Sequence, residues 1–172
     1  MREVIPKLSR VLVLGTSTNP GNSQAIEQTE AAARLLGIQF QYSDLLHIKD
    51  VVAALTTAKK TGADAVLMLS SPVTISHRKE VTAAAVKARM PAIYARPEFV
   101  QDGGLMTYSA SINALFHRAA TYVDKILKGA KPAELPVEQP TKFELIVNLK
   151  AAKEMGIAIP PHVLGRADRV IR

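Results

Sequence analysis

Val11-Leu12-Val13-Leu14-Gly15 running into Thr16-Ser17-Thr18-Asn19-Pro20-Gly21-Asn22-Ser23 is the stretch on which the fold turns. Four consecutive apolar residues stopped by a glycine suit a strand buried on both faces, since a half-exposed strand would alternate with polar residues. The loop after it is polar and holds Asn19 before Pro20. This predicts Asn19 as a helix N-cap, with proline at the first helical position where its missing N–H would have had no partner. The helix is expected to reach Leu36, with Ile26, Ala33 and Leu36 on one face and Gly37 as its stop.

Outward from that stretch the same cycle repeats. Ile38–Tyr42 reads as strand, Lys49–Thr61 as helix closed by Gly62, and Ala65–Leu69 as a buried strand. The turn Ser70-Ser71-Pro72 follows, then a helix over Ser76–Arg89 and a short strand at Pro91–Tyr94. Alternation of this kind defines the α/β class: a three-layer parallel sheet with helices on both faces and right-handed crossovers. The rhythm then changes. Pro97–Asp102 is a short turn or helix, and Gly103-Gly104 redirects the chain into a strand at Leu105–Tyr108. The helix Ile112–Lys128 carries an apolar stripe of Ile112, Leu115, Phe116, Ala119, Val123, Ile126 and Leu127. Three prolines between Lys131 and Pro140 make an extended connector. A strand at Phe143–Val147, a helix at Leu149–Met155 and a terminal helical turn after Pro160-Pro161 complete the chain.

The 172 residues fit about one domain and bury about 70% of the unfolded surface. A hydrophobic content of 48% with 22% charged residues excludes a disordered chain. Without cysteine there is no disulfide, thiolate metal site or cysteine nucleophile. The net charge is +7, yet the basic residues are scattered as pairs such as Lys59-Lys60 and Arg78-Lys79. Only four Phe and four Tyr are present to stack on bases, so no nucleic-acid partner is expected. No apolar run reaches the ~18 residues that cross a bilayer, and Met1–Pro6 lacks the apolar stretch of a signal peptide.

Chemistry is sparse. The histidines His47, His77, His117 and His162 lie in four segments with no metal-binding spacing. Ser70 and Ser71 follow a buried strand without a Gly-x-Ser-x-Gly elbow, and His77 reads as a surface or capping residue. Asp44, Glu98 and Asp102 appear as isolated acids. No cofactor, metal or catalytic residue is expected, and the chain does not read as an enzyme. In open parallel sheets a ligand binds outside the carboxyl ends of the strands. Thr16, Ser17, Thr18, Asn19, Ser70, Ser71, Tyr94 and Arg96 stand there and are the candidate ligand-binding residues. A small polar molecule suits their hydroxyls and amides, and the helix start after the first loop favours an anion or carboxylate. The Thr16–Ser23 loop is also similar to a flavodoxin phosphate loop, which keeps a flavin- or phosphate-binding protein as an alternative. The absence of Trp leaves no indole to cover a flavin ring.

The second half carries a specific signature. Arg118-Ala119-Ala120-Thr121-Tyr122-Val123-Asp124-Lys125-Ile126-Leu127-Lys128-Gly129-Ala130-Lys131-Pro132 continues into Leu135-Pro136-Val137-Glu138-Gln139-Pro140-Thr141-Lys142-Phe143-Glu144-Leu145. With Pro91–Tyr94, Glu98-Phe99-Val100 and Gly103-Gly104-Leu105-Met106, it strongly resembles bacterial ABC-transporter substrate-binding proteins of the tryptophan/tyrosine-binding-like family. The resemblance implies one lobe of a type I periplasmic-binding-protein-like fold, with solute captured between two lobes and passed to an ABC permease. Asn19, Pro20, Ser71, Pro72, Tyr94 and Glu98 match the family pattern near the cleft, whereas Gly15, Thr16 and Ser17 stand where the family tends to show an aromatic residue followed by Asn-Pro.

On that resemblance, residues 1–96 are second-lobe βα units. Residues 97–142 are a hinge-crossing strand, helix and connector belonging to an absent first lobe, and 143–172 are the return strand and last helices. The expectation is a protein truncated to about one lobe, periplasmic by resemblance and cytoplasmic if Met1 is the native start. The stripe of helix 112–128 would then lack its sheet and be covered by a second copy, making a homodimer. A vestigial, non-enzymatic interaction domain is the remaining alternative.

Overall fold

Strand β1 (Arg10–Gly15) is buried along all but its first residue, as its apolar run requires. It pairs in parallel with β2 (Gln39–Asp44) on one side and β3 (Ala65–Met68) on the other. In the computed structural model, which describes residues 1–172, one seven-stranded sheet has the order β2-β1-β3-β4-β5-β6-β7. β4 (Ala92–Tyr94) and β5 (Met106–Ala110) extend the parallel run. β6 (Phe143–Asn148) enters antiparallel to β5, and β7 (Arg169–Ile171) lies parallel to β6. The sheet is therefore mixed rather than all-parallel. Because β1 is flanked by β2 and β3, the loops leaving β1 and β3 diverge, which makes their carboxyl ends a topological switch point.

Residue parity along β1 divides the core. Leu12 and Leu14, with Val66, Met68, Ala92 and Tyr94, meet α2 (Ile48–Lys60) and α4 (Arg78–Lys87). Val11 and Val13 point the other way, toward α1 (Asn22–Leu35) through Ala25 and Ile26. A separate cluster joins Val4, Leu105, Met106 and Val147 to α7 (Leu149–Met155) and α8 (Pro161–Leu164).

Several local expectations are corrected. Asn19 is not the cap of α1; the N-cap is Gly21, in the left-handed region at φ 86°. The Asn19 carbonyl accepts from Asn22 N–H in a turn, and its amide is drawn away to the carbonyl of Ser70. Of the three residues expected on the inner face of α1, Ala33 is buried, Ile26 is half-buried and Leu36 is exposed. The helix expected over Ser76–Arg89 is α4, which starts only after His77, and a separate short helix, α3 (Pro72–Ser76), stands before it where a turn was expected. Ser71 and Thr74 form a reciprocal cap that fixes α3 to the end of β3. Arg78 meanwhile binds Asp102 and the Ile75 carbonyl. At the C-terminus, the expected helical turn is followed by β7, held by the Asp168 carboxylate on Leu145 N–H and by Asp168 N–H on the Leu145 carbonyl.

Residues Pro97–Ala110 are built into this sheet: α5 (Pro97–Gln101) buries Phe99 and Val100, and β5 pairs with β4. Gly104 is required where it stands, since a Cβ would lie 2.6 Å from Tyr94 Cε2 and 2.8 Å from the Phe99 carbonyl oxygen. The chain leaves the sheet at α6 (Ile112–Leu127), started by Ser111, whose hydroxyl accepts from Ala114 N–H and donates to Glu144. No residue of α6 is buried. The Pro-rich connector runs beside it, tied by Tyr122 Oη to the Pro136 carbonyl and by Arg118 to Glu138. The stripe of α6 is left without a sheet from its own chain, with Phe116 71% and Leu127 81% exposed.

Candidate functional site

The switch-point face is built from four loops. After β1, the Thr16 hydroxyl is buried and donates to the Leu45 carbonyl, tying the first loop to the residue after β2. Ser17 donates from both its N–H (2.7 Å) and its hydroxyl (2.6 Å) to the Asp44 carboxylate, which also accepts from Tyr42 Oη at 3.0 Å. The Ser17 hydroxyl and N–H hold the Asp44 carboxyl below the usual carboxylate range. Burial, with Asp44 beside it, pushes the Tyr42 phenol up to about 12. Asn19 reaches across the switch point and donates to the Ser70 carbonyl at 2.9 Å. Buried Asn22 closes the loop from within by donating to the Thr16 carbonyl.

Of the eight residues expected at a ligand, the structure brings the β1 and β3 groups together and separates the others. Thr16, Ser17, Thr18, Asn19 and Ser70 cluster at the switch point, with Ser17 and Thr18 exposed. Ser71 is 1% exposed and shares its hydroxyl with Thr74, so it caps a helix. Tyr94 is a correction. Its side chain is fully buried in the core, stacked on Phe99 with centroids 5.0 Å apart, and its hydroxyl has no partner. It contributes only a backbone carbonyl, which accepts from Thr107 Oγ1 at 2.7 Å. Arg96 stands at the start of α5, half-buried, and donates from Nη2 to Glu98 at 2.8 Å. That carboxylate is held below its ordinary value by the guanidinium.

The acids that looked isolated all have mates: Asp44 has Ser17, Glu98 has Arg96, and Asp102 has Arg78 at 2.9 Å. Asp44 and Asn22 are the positioning residues that sequence reasoning missed. His77 places Nδ1 3.0 Å from the Val73 carbonyl, a local contact in the α3–α4 break. No group of three or more His, Asp and Glu residues is placed to hold a metal ion. Of the aromatic side chains near these loops, Tyr94 and Phe99 lie in the core, and half-buried Tyr42 is engaged with Asp44 at the end of β2. The arrangement can bind through hydrogen bonds. It assembles no nucleophile–base pair.

A doubly wound sheet with a polar switch-point face, and two antiparallel strands leading to a helix that leaves it, defines one lobe of a periplasmic-binding-protein-like clamp. Residues 1–171 match the sequence model described as ABC transporter substrate binding protein, and the chain belongs to that family. Among solved structures, it is similar to a conserved domain protein from Vibrio cholerae (25% identity, TM-score 0.89, 98% of this chain and 57% of that one). It is also similar to an ABC domain from Streptococcus pneumoniae solved in complex with L-Trp (24%, 0.88, 99% and 57%). A third, the ligand-free, open form of a substrate binding protein with adhesive properties from Clostridium difficile, is similar at 18% identity and TM-score 0.75, over 98% of this chain and 56% of that one. The chain thus spans little more than half the length of these proteins. No curated protein matches it. No helix is long and apolar enough to cross a membrane.

Proposed function

We propose that this chain is the solute-capturing lobe of an ABC-type uptake system, taking a small polar ligand of amino-acid size and passing it to a membrane permease without chemical change. The observation that carries the reading is the switch point, where Asn19 and Ser17 brace the loops of β1, β2 and β3 into one polar surface. Thr18, the Ser70 hydroxyl and the outer N–H groups of Arg96 are the side-chain contacts it offers, together with loop backbone N–H groups. Ser17 and Asn19 belong to the site through the loops they hold, and Thr16 and Ser71 act behind them. Family membership over residues 1–171 supports the same role. It also supports a location outside the cytoplasmic membrane, where such a component meets its permease. In this reading residues 1–110 and 143–172 form the lobe, since α5 and β5 are packed into its sheet, and only the helix and connector of 111–142 lead out of it. The exposed face of α6 is covered by a second copy of the chain.

The test is ligand-induced stabilisation. A solute at 100 times its Kd stabilises the folded state by about 2.7 kcal/mol, which raises the melting temperature of a chain this size by roughly 5–10 °C. A panel of amino acids and small carboxylates should contain at least one such solute. Thr18→Ala and Ser70→Ala should each weaken its effect without lowering the melting temperature of the free protein. A flat response to the whole panel at millimolar concentration would overturn the proposal.

A further inference from the structure

Arg96 meets Glu98 along one edge only. The carboxylate takes Nε at 3.3 Å and Nη2 at 2.8 Å, which leaves Nη1 and the second N–H of Nη2 without a partner. These make up the other fork of the guanidinium, whose spacing matches the two oxygens of a carboxylate. Arg96 is half-buried at the carboxyl end of β4, so this fork belongs to the switch-point face. What keeps it there is α5. A helix of five residues does not hold itself, because nucleation is costly and few bonds follow to offset it. Three side chains from other elements hold it by its carbonyl oxygens. Thr107 Oγ1 of β5 donates to Tyr94, just before α5, at 2.7 Å. Asn148 Nδ2 of β6 donates to Val100, inside it, at 3.2 Å, and Thr82 Oγ1 of α4 donates to Asp102, just after it, at 2.8 Å. None of the three donors is more than 5% exposed. A polar group is buried at a cost unless it is paired, and each of these is paired with α5 or its flanks.

We propose that Thr107, Asn148 and Thr82 are positioning residues for solute capture: they fix α5, and α5 holds the open fork of Arg96 out to a carboxylate of the solute. The inference rests on the proposed uptake role and narrows the solute to one that carries a carboxylate. Glu98 serves the same end from within α5, since a guanidinium paired along one edge does not swing away. Lysine would not replace Arg96, because an ammonium is a point charge without a fork. The donors come from the strand that leads to α6, the strand that returns and the helix before β4. One solute contact is thus set by three separate parts of the chain.

The probe is sodium acetate, with sodium chloride and acetamide at equal concentration as controls. NMR follows the Arg96 Nε–Hε resonance, assigned by its loss in Arg96→Lys. About 50 mM suffices for the millimolar Kd that a ligand of so few atoms reaches. Acetate should move the resonance to a plateau, and neither control should. Asn148 also caps α7, so the two threonines are the ones varied. Thr107→Val and Thr82→Val keep the shape and lose the hydroxyl, and each should raise the acetate Kd by about 3- to 10-fold, the worth of one hydrogen bond. Thr107→Ser keeps the hydroxyl and should bind as wild type does. Asp102 and Gly104 donate their N–H groups to Glu98 and Phe99 of α5. Their amide exchange should quicken in both valine variants while exchange along β1 stays unchanged. A merely structural role would quicken exchange and leave the acetate Kd where it was. An acetate shift no larger than that of chloride overturns the inference, and so does an acetate Kd unchanged in both valine variants. A panel solute that stabilises wild type and Arg96→Lys equally keeps the uptake role and removes this inference. Acetate held at Arg96, with a flat response to the panel, keeps the positioned fork and removes the uptake role.

Discussion

Replacing Tyr94 with phenylalanine separates two readings of the same residue. From sequence, a tyrosine at the carboxyl end of a strand looks like a ligand contact, and its loss should weaken binding. In the structure its hydroxyl is fully buried and unpartnered, and burial pushes its titration far above the ordinary range. A buried hydroxyl left without a hydrogen bond costs about 1–3 kcal/mol of desolvation. Tyr94→Phe removes that cost and keeps the ring stacked 5.0 Å from Phe99. The small space vacated by the oxygen offsets part of the gain, since a lost methyl-sized volume in a core costs about 1 kcal/mol. A net stabilisation of about 1 kcal/mol is expected, equivalent to roughly 2–4 °C in melting temperature for a chain this size. Urea denaturation should show a higher midpoint at unchanged slope, and a solute that stabilises the wild type should stabilise the variant by the same increment. A variant less stable than wild type by 1 kcal/mol or more, or one that no longer answers to the solute, would refute the argument. Either result would mean that the hydroxyl has a partner, and loss of the response alone would return Tyr94 to the site.

Three further outcomes follow from the same contacts. Gly104→Ala should destabilise by about 1–3 kcal/mol through overpacking, read as a lower urea midpoint. A second change, Tyr94→Leu, should not restore it, because the Phe99 backbone oxygen still stands 2.8 Å from the added carbon. Asn19→Ala should cost about 1 kcal/mol for the lost hydrogen bond to Ser70 and speed amide exchange in residues 16–23; exchange unchanged in that loop would remove Asn19 as the brace. The folded protein holds Asp44 below its ordinary 3.8, through the Ser17 hydroxyl, and Glu98 below its ordinary 4.5, through Arg96. A depressed folded value contributes stability that is complete above the unfolded value and lost as pH falls through the folded one. Urea midpoints should therefore decline below about pH 4.5, with a shallower decline in Arg96→Gln; an equal decline in that variant would take the Arg96–Glu98 pair out of the account.

The sequence exposes whatever depends on neighbours along the chain. The run Val11–Leu14 marks β1 because burial on both faces leaves no room for alternation, and Leu149–Met155 is found to the residue because Asn148 caps it and Gly156 ends it in the left-handed region. What depends on distant partners stays hidden. The three residues of β7 are a strand only because β6 offers an open edge, so no local pattern separates them from a helical turn. Asp44 looked solitary because Ser17, its main partner, is 27 residues away. Tyr94 was misread for a different reason, and a signal was available. Strand parity places Tyr94 on the same side as Ala92, opposite Val66 and Met68, which makes it a core position whatever its hydroxyl suggests.

The same contacts decide how a solute can be held. Most hydroxyls and amides that made the strand ends look like a binding site are already used by the protein: Thr16 on Leu45, Ser17 on Asp44, Asn19 on Ser70, Ser71 on Thr74. They cannot turn to a ligand without abandoning a bond worth about 1 kcal/mol each, so they act by fixing loops. On the proposed reading, a surface fixed in this way loses little entropy on binding a solute. The pair β5 and β6 leads to α6 and is tied at its far end by Ser111 N–H on the Lys142 carbonyl and by the Ser111 hydroxyl on Glu144 at 2.6 Å. On the proposed reading, the side-chain groups of this face left free for a solute are Thr18, Ser70 and the outer edge of Arg96.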